Sequence, residues 1–217
     1  MDSQQKIWDQ LYQQQLHWNR ETLDLPLLLE NKIVLELGVG SGKTLKSILR
    51  QKPKQITAID FSDQSLQHCK KEFSHYPNLV FVKSQVSKLP FKPKTFDVIV
   101  CYYILNNLLL KERNKAVEEM IHVINQNGLI IFEDLAAGDF REKQGQASSA
   151  KQPEIHTIIK PSGLVHHFFS PEEVEELFSK FKGQTIKQKT LTPIKNQKQF
   201  KRKIISAIFT FQKSNNK

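Results

Sequence analysis

Ile33-Val-Leu-Glu-Leu-Gly-Val-Gly-Ser-Gly42 is the stretch of this 217-residue chain whose reading decides the fold. A short apolar run with one acidic residue breaks into three glycines at alternate positions, and a helical pattern starts at Lys43. That is how a buried strand feeds a helix through a turn where backbone must approach a ligand closely. A Cβ there would strike the ligand or forbid the dihedral angles. A second apolar run, Ile56-Thr-Ala-Ile-Asp60, ends in a carboxylate. An acidic residue about 20 positions beyond such a loop is placed to accept hydrogen bonds from ribose hydroxyls.

Two ligand classes compete for the loop. Gly42-Lys43-Thr44 matches the tail of a phosphate-binding P-loop, with Leu129-Ile-Ile-Phe-Glu-Asp134 as a magnesium-binding strand. The P-loop pattern needs a glycine five positions before Gly42, however, and Leu37 stands there. Glu36-x-Gly38-x-Gly40-x-Gly42 instead resembles motif I of the class I S-adenosylmethionine (SAM) methyltransferases. By that resemblance the backbone at Gly38, Gly40 and Cys101 would hold the methionine part of SAM, with Glu36 and Gly42 in the same motif. Asp60 would take the ribose hydroxyls, Phe61 would stack on adenine, and Gln85 and Val86 would border it. A strand–turn–helix that binds nothing, or a non-catalytic scaffold of this fold, is the other reading.

Outward from the loop, strands are expected at 32–37, 55–60, 78–83, 95–101 and 129–132, alternating with helices at 41–51, 62–75 and 111–124. Ser62 reads as an N-cap and Asn127-Gly128 as a helix stop. This rhythm implies a doubly wound, mostly parallel sheet in a single α/β domain. Residues 136–169 carry no clear period, and a stretch that long is expected to serve function. Ser170-Pro-Glu-Glu173 has the form of a capping box opening a helix to about Phe181. Two closing strands, 184–192 and 200–211, complete the seven-stranded sheet of a class I methyltransferase. The domain thus divides into an N-terminal helical lid (1–30), a SAM-binding core (31–135), a substrate-side segment (136–169) and a closing helix and hairpin (170–217). In the lid, a helix over 4–18 puts Trp8 and Tyr12 on one face, with Leu11 and Leu16 near it; packing on the sheet edge and covering the cofactor are both open.

Composition narrows the rest. No apolar run reaches membrane-spanning length, and Met1-Asp-Ser-Gln-Gln does not read as a signal peptide. Cys69 and Cys101 match no metal spacing and the seven histidines are scattered, so a reduced cytoplasmic setting without a metal is expected. The net charge of +10 is uneven: from Lys180 onward there are eleven Lys/Arg and no Asp or Glu, whereas the preceding residues hold 21 basic against 22 acidic. Lys201, Arg202 and Lys203 cluster at the start of the last strand as a candidate surface for a polyanion such as RNA. Methyl transfer needs alignment and water exclusion more than a covalent nucleophile. Glu133 and Asp134 end strand five near the methyl group and are candidates to orient an amine or accept a proton, while Tyr102 and Tyr103 are candidates to wall the site.

Past strand five the chain resembles the transfer-RNA 3-methylcytidine methyltransferases of the METTL2/6/8 type. The likeness rests on Phe132-Glu-Asp134, Asp139, Arg141, the run from Glu154 through Lys160 to Gly163, and His167-Phe-Phe169-Ser-Pro-Glu-Glu173. It implies that Lys160 and His167 meet the substrate and that transfer RNA or another RNA is the acceptor. The Phe-Phe-Lys-Asp-Arg motif of those enzymes is absent, and a small-molecule acceptor stands beside RNA as the alternative.

Overall fold

The computed structural model describes residues 2–14, 25–146, 151–192, 194–195 and 198–212. Its frame is a seven-stranded sheet in the order β3-β2-β1-β4-β5-β11-β8. Strands β1 (Ile33–Leu37), β2 (Gln55–Asp60), β3 (Leu79–Lys83), β4 (Phe96–Tyr102) and β5 (Ile124–Leu135) run parallel. The last strand, β11 (Arg202–Thr210), inserts antiparallel between β5 and the edge strand β8 (Lys182–Leu191). The order reverses between β1 and β4, the crevice where open α/β sheets bind ligands.

Each face of the sheet carries its own core. Helices α2 (Lys43–Arg50) and α3 (Asp63–Glu72) bury Leu45, Ile48, Leu66 and Cys69 against Val34, Ala58 and Val100. On the other face, α4 (Leu110–Val123) and α6 (Pro171–Leu177) bury Ala116, Met120, Val174 and Phe178 against Leu35, Ile99, Phe132 and Phe209. Phe178 stacks on Phe209 with ring centroids 4.2 Å apart. A fully buried side chain of this size contributes about 1.5–3 kcal/mol, so this stack does much to hold α6 on the closing strands.

Local signals act largely as the sequence suggests. Ser62 caps α3 by accepting from the Ser65 amide at 3.2 Å. Ser170 likewise accepts from Glu173 N, but the Glu173 carboxylate turns away to His167 and Arg113, so only half of the expected capping box forms. That helix ends at Leu177, short of Phe181. Asn127-Gly128 does not stop α4. The helix runs straight into β5, and its last carbonyls, on His122 and Val123, accept from Lys94 N and Thr95 N on the lead-in to β4. Asn127, at φ 61°, sits inside β5, where the register with β4 shifts. A Cβ on Gly128 would lie 2.6 Å from the Ile124 side chain.

The aperiodic segment 136–169 holds α5 (Phe140–Gln146) and a small antiparallel pair, β6 (Thr157–Ile159) with β7 (Val165–His167). Between β8 and β11 lies another short pair, β9 (Ile194–Lys195) and β10 (Lys198–Gln199). The first helix, α1, spans Asp2–Gln13, shorter than expected; Leu16 and the rest of that expected stretch lie outside the described residues. No helix among the described residues is long and apolar enough to cross a membrane.

Candidate active site

The glycine turn follows β1 with all three glycines left-handed, at φ 67°, 54° and 76° for Gly38, Gly40 and Gly42. Asp60 closes it from the end of β2, accepting from Gly40 N and from Ser62 N, each at 2.9 Å. Each oxygen accepts one of these bonds, and a carboxylate has further lone pairs for ligand hydroxyls. The carbonyl of Gly40 is held in turn by the Ser65 hydroxyl at 2.7 Å and by the Cys69 thiol. Burial pushes the Asp60 carboxyl up, against the backbone bonds from Ser62 and Gly40 that lower it.

Glu36 lies beneath the turn, 2% exposed, and its Oε2 has no hydrogen-bond partner. Burial first, then neighbouring Asp60, drives its carboxyl well above the ordinary range, opposed by a bond from the Leu45 amide. An orphaned acidic oxygen beside a second carboxylate fits a ligand that brings a positive charge, as the ammonium of SAM does. Phe61, Gln85 and Val86 are half-buried around the same crevice. Cys101 is paired with Leu37 in the register of β4 on β1; its side chain is fully buried, so only its backbone can face a ligand.

Helix α1 covers this corner. The Tyr12 hydroxyl lies 3.0 Å from where a Gly40 Cβ would stand, and Asp9 accepts from the Ser62 hydroxyl. Burial, with Asp60 next in size, raises the Tyr12 hydroxyl well above its ordinary value. At the helix start, Gln4 donates to the Gly163 carbonyl at 2.8 Å, tying the cofactor corner to the turn between β6 and β7.

On the acceptor side the two adjacent carboxylates part company. Asp134 is wholly buried and accepts from Asn106 N at 3.0 Å and Leu135 N at 2.8 Å. Burial pushes it up to about 8 despite those two bonds. It fastens the turn Leu105–Asn107 to β5, with each of its oxygens engaged by a backbone N–H. Glu133, one residue earlier, points to the opposite side of the pleat and is half-buried. It accepts from the Tyr103 hydroxyl at 2.8 Å. Tyr103 reaches it from a left-handed backbone at φ 56°, an unusual conformation for a bulky residue. Burial and Glu133 raise the Tyr103 hydroxyl, and Arg202 partly opposes them. Tyr102, the other candidate for the wall of the site, packs against the α2/α3 core. The alternation of Tyr102-Tyr103 was visible in the sequence, but not which ring would turn outward.

His167 is 1% exposed, with Thr157 Oγ1 at 2.7 Å from one ring nitrogen and Glu173 at 2.8 Å from the other. With Arg113, which bonds Glu154, Glu173 and the Leu108 carbonyl, it ties β6 and β7 to α4 and the start of α6. Arg113 had no signal in the sequence beyond its place in α4. Lys160 is half-buried, as are Arg202 and Lys203, while Lys201 is exposed. The expected basic cluster is therefore not one open surface. Lys203 N donates to Asp139 at 2.9 Å, its side chain lies along Gly138, and the Lys201 carbonyl accepts from Phe140 N.

The sheet order and the glycine–Asp60 corner define a class I SAM-dependent methyltransferase, a Rossmann-like enzyme with SAM as cofactor. A methyltransferase-domain family model matches residues 34–128 of the chain. Its relatives include the tRNA N(3)-methylcytidine methyltransferase trm141 of Schizosaccharomyces pombe, 23% identical over 188 residues, covering 79% of this chain and 76% of that protein. The malonyl-[acyl-carrier protein] O-methyltransferase of Halalkalibacterium halodurans is 30% identical over 117 residues, 52% of this chain and 42% of that one. The chain thus spans less than half of the second relative's length. A SAM-dependent methyltransferase structure from Methanosarcina mazei superposes with a TM-score of 0.72 at 18% identity, covering 88% of this chain and all of that one.

Proposed function

We propose that the chain methylates RNA, with transfer RNA first among the candidates. The observation that carries this is the charge split: eleven positive and no negative residues from Lys180 onward, against a near-neutral remainder. Exposed Lys187, Lys189 and Lys201 belong to the closing strands or their approach, and Arg202 leads from there to the Tyr103–Glu133 pair. Exposed lysines on these strands, with a guanidinium beside the site, suit a phosphate backbone. The name of the S. pombe relative supports the same acceptor.

In this reading Glu36, Gly38, Gly40 and Gly42 hold the methionine end of the cofactor with the Cys101 backbone, Asp60 holds the ribose, and Phe61, Gln85 and Val86 border the adenine. SAM supplies a methyl group on a sulfonium, transferred by in-line displacement. The protein aligns the acceptor and excludes water. Glu133, steadied by the Tyr103 hydroxyl, orients the acceptor's nitrogen or takes its proton. Helix α1 is the cover that keeps the cofactor corner dry.

A small-molecule acceptor is the second reading, favoured by the tie between Gln4 and Gly163 that closes one side of the cleft. Incubating the protein with methyl-labelled SAM and a total cell extract separates the two. Label in the small-RNA fraction is the expected result, and label confined to small molecules or protein overturns the RNA acceptor. Folded protein that binds neither SAM nor its demethylated product, by calorimetry, overturns the cofactor assignment.

A further inference from the structure

Beyond the acceptor pair, one face of the β6–β7 hairpin collects positive charge. Ile158 pairs with His166 and Ile159 with Val165, and Lys160 N donates to the Leu164 carbonyl at 2.9 Å. Alternation then puts Ile158, Lys160, His166 and Phe168 on one face, and Thr157 and His167 on the other. The first face looks toward the acceptor site, because Ile158 and Phe168 form a small core with Leu135 against which Tyr103 packs. Arg141 arrives at this face from α5. Its guanidinium is held by one edge, with Nε 2.8 Å from Asp139 Oδ1 and Nη2 3.1 Å from Oδ2.

We propose that Arg141, Lys160 and His166 form a binding site for a phosphate group of the methyl acceptor, one step along the hairpin from the Tyr103–Glu133 pair. Lys160 is two residues from Ile158, so it lies roughly 7 Å along the strand from that residue of the small core. Three observations support an anion there. The His166 Nδ1 is buried and has no hydrogen-bond partner, an unmade bond that is costly in a folded protein. Asp139, the acidic group of the cluster, is already engaged by Arg141 and by Lys203 N. The field at the ring stays positive although Asp139 opposes it: burial, then Lys160 and Arg141, push the His166 ring down to about 3, and burial with Arg141 lowers the Lys160 ammonium. Donors from three separate positions suit a tetrahedral oxyanion better than a planar carboxylate, which Arg141 would take by its fork alone.

This site rests on the reading of Tyr103–Glu133 as the acceptor side, but it is tested without turnover. Protein labelled with nitrogen-15 in its histidine rings is titrated with inorganic phosphate, with a small phosphomonoester and with a short single-stranded oligoribonucleotide lacking terminal phosphates. Exposed His75 serves as an internal reference. The His166 ring nitrogens are expected to shift saturably with at least one of the three. Lys160→Gln is expected to weaken that binding about tenfold or more, the loss of one charge-assisted contact, and Lys115→Gln, on the exposed side of α4, to leave it unchanged. A response to the oligoribonucleotide alone identifies the ligand as backbone diester, and a tight response to the monoester identifies a small phosphorylated acceptor. If Lys160→Gln does not fold, judged by circular dichroism, Lys160→Arg must keep the response and Arg141→Gln must lose it. No shift at His166 with any of the three ligands, or a response unaffected by these charge-removing variants, overturns the site. RNA labelling from the extract with a silent His166 would sink the phosphate site and leave the RNA acceptor standing; the reverse pattern would do the opposite.

Discussion

Asp60→Asn separates the work of one carboxylate from the rest of the cofactor corner. The aspartate accepts two backbone bonds, from Gly40 N and Ser62 N, at 2.9 Å each. Asparagine keeps the shape but presents an amide nitrogen to one of those N–H groups, leaving it unsatisfied at a cost of about 1–3 kcal/mol. Part of that cost is offset, because burial already makes the Asp60 charge unfavourable and raises its carboxyl. The fall in melting temperature is therefore expected to be small. The loss in SAM affinity is not offset. A hydroxyl bonded to a charged acceptor gains about 1.5–3 kcal/mol and to a neutral one about 0.5–1.5 kcal/mol. A difference of about 1–2 kcal/mol weakens binding roughly 5- to 30-fold. Titration calorimetry with SAM and its demethylated product gives the affinities, and far-UV circular dichroism confirms the fold. Asp63→Asn is the control: its 2.6 Å pair with Lys83 is half-exposed on both sides and worth little. Wild-type affinity in folded Asp60→Asn, or an equal loss in Asp63→Asn, would refute the assignment.

Glu133→Gln should lower turnover about a hundredfold, the lower end of general acid–base effects, with SAM affinity unchanged; equal rates in single-turnover assays would remove it from the site. His166 is held neutral when folded, with its ring lowered to about 3, so the unfolded chain takes up a proton first as pH falls below about 6.5. Stability conferred by the neutral ring is present above that value and drains by at most about 1.4 kcal/mol per pH unit between there and pH 3. In urea titrations His166→Gln should flatten this slope, and an unchanged slope would show that other groups carry it. Replacing exposed Lys187, Lys189 and Lys201 with Gln should reduce the log–log salt slope of transfer-RNA binding by about one unit per lost phosphate contact. An identical slope would take the closing strands out of the RNA interface.

The sequence alone determined the α/β order, the glycine turn and Asp60 at the end of β2, because each is written in neighbouring residues. A buried parallel strand is a continuous apolar run, a left-handed turn needs glycine, and a cap needs a hydroxyl beside the helix start. Tertiary structure alone decided the facing of adjacent residues. Glu133 and Asp134 are both acidic and next to each other; pairing of β5 with β11 sets Ser206 opposite Glu133 and Ile205 opposite Asp134. The turn Leu105–Asn107 then engages Asp134 and leaves the other carboxylate to Tyr103. His166 and His167 divide in the same way, one toward the Lys160 face and the other into the brace with Arg113 and Glu173. Adjacent strand residues point to opposite sides whatever their identity, and which side is open depends on elements distant in the chain.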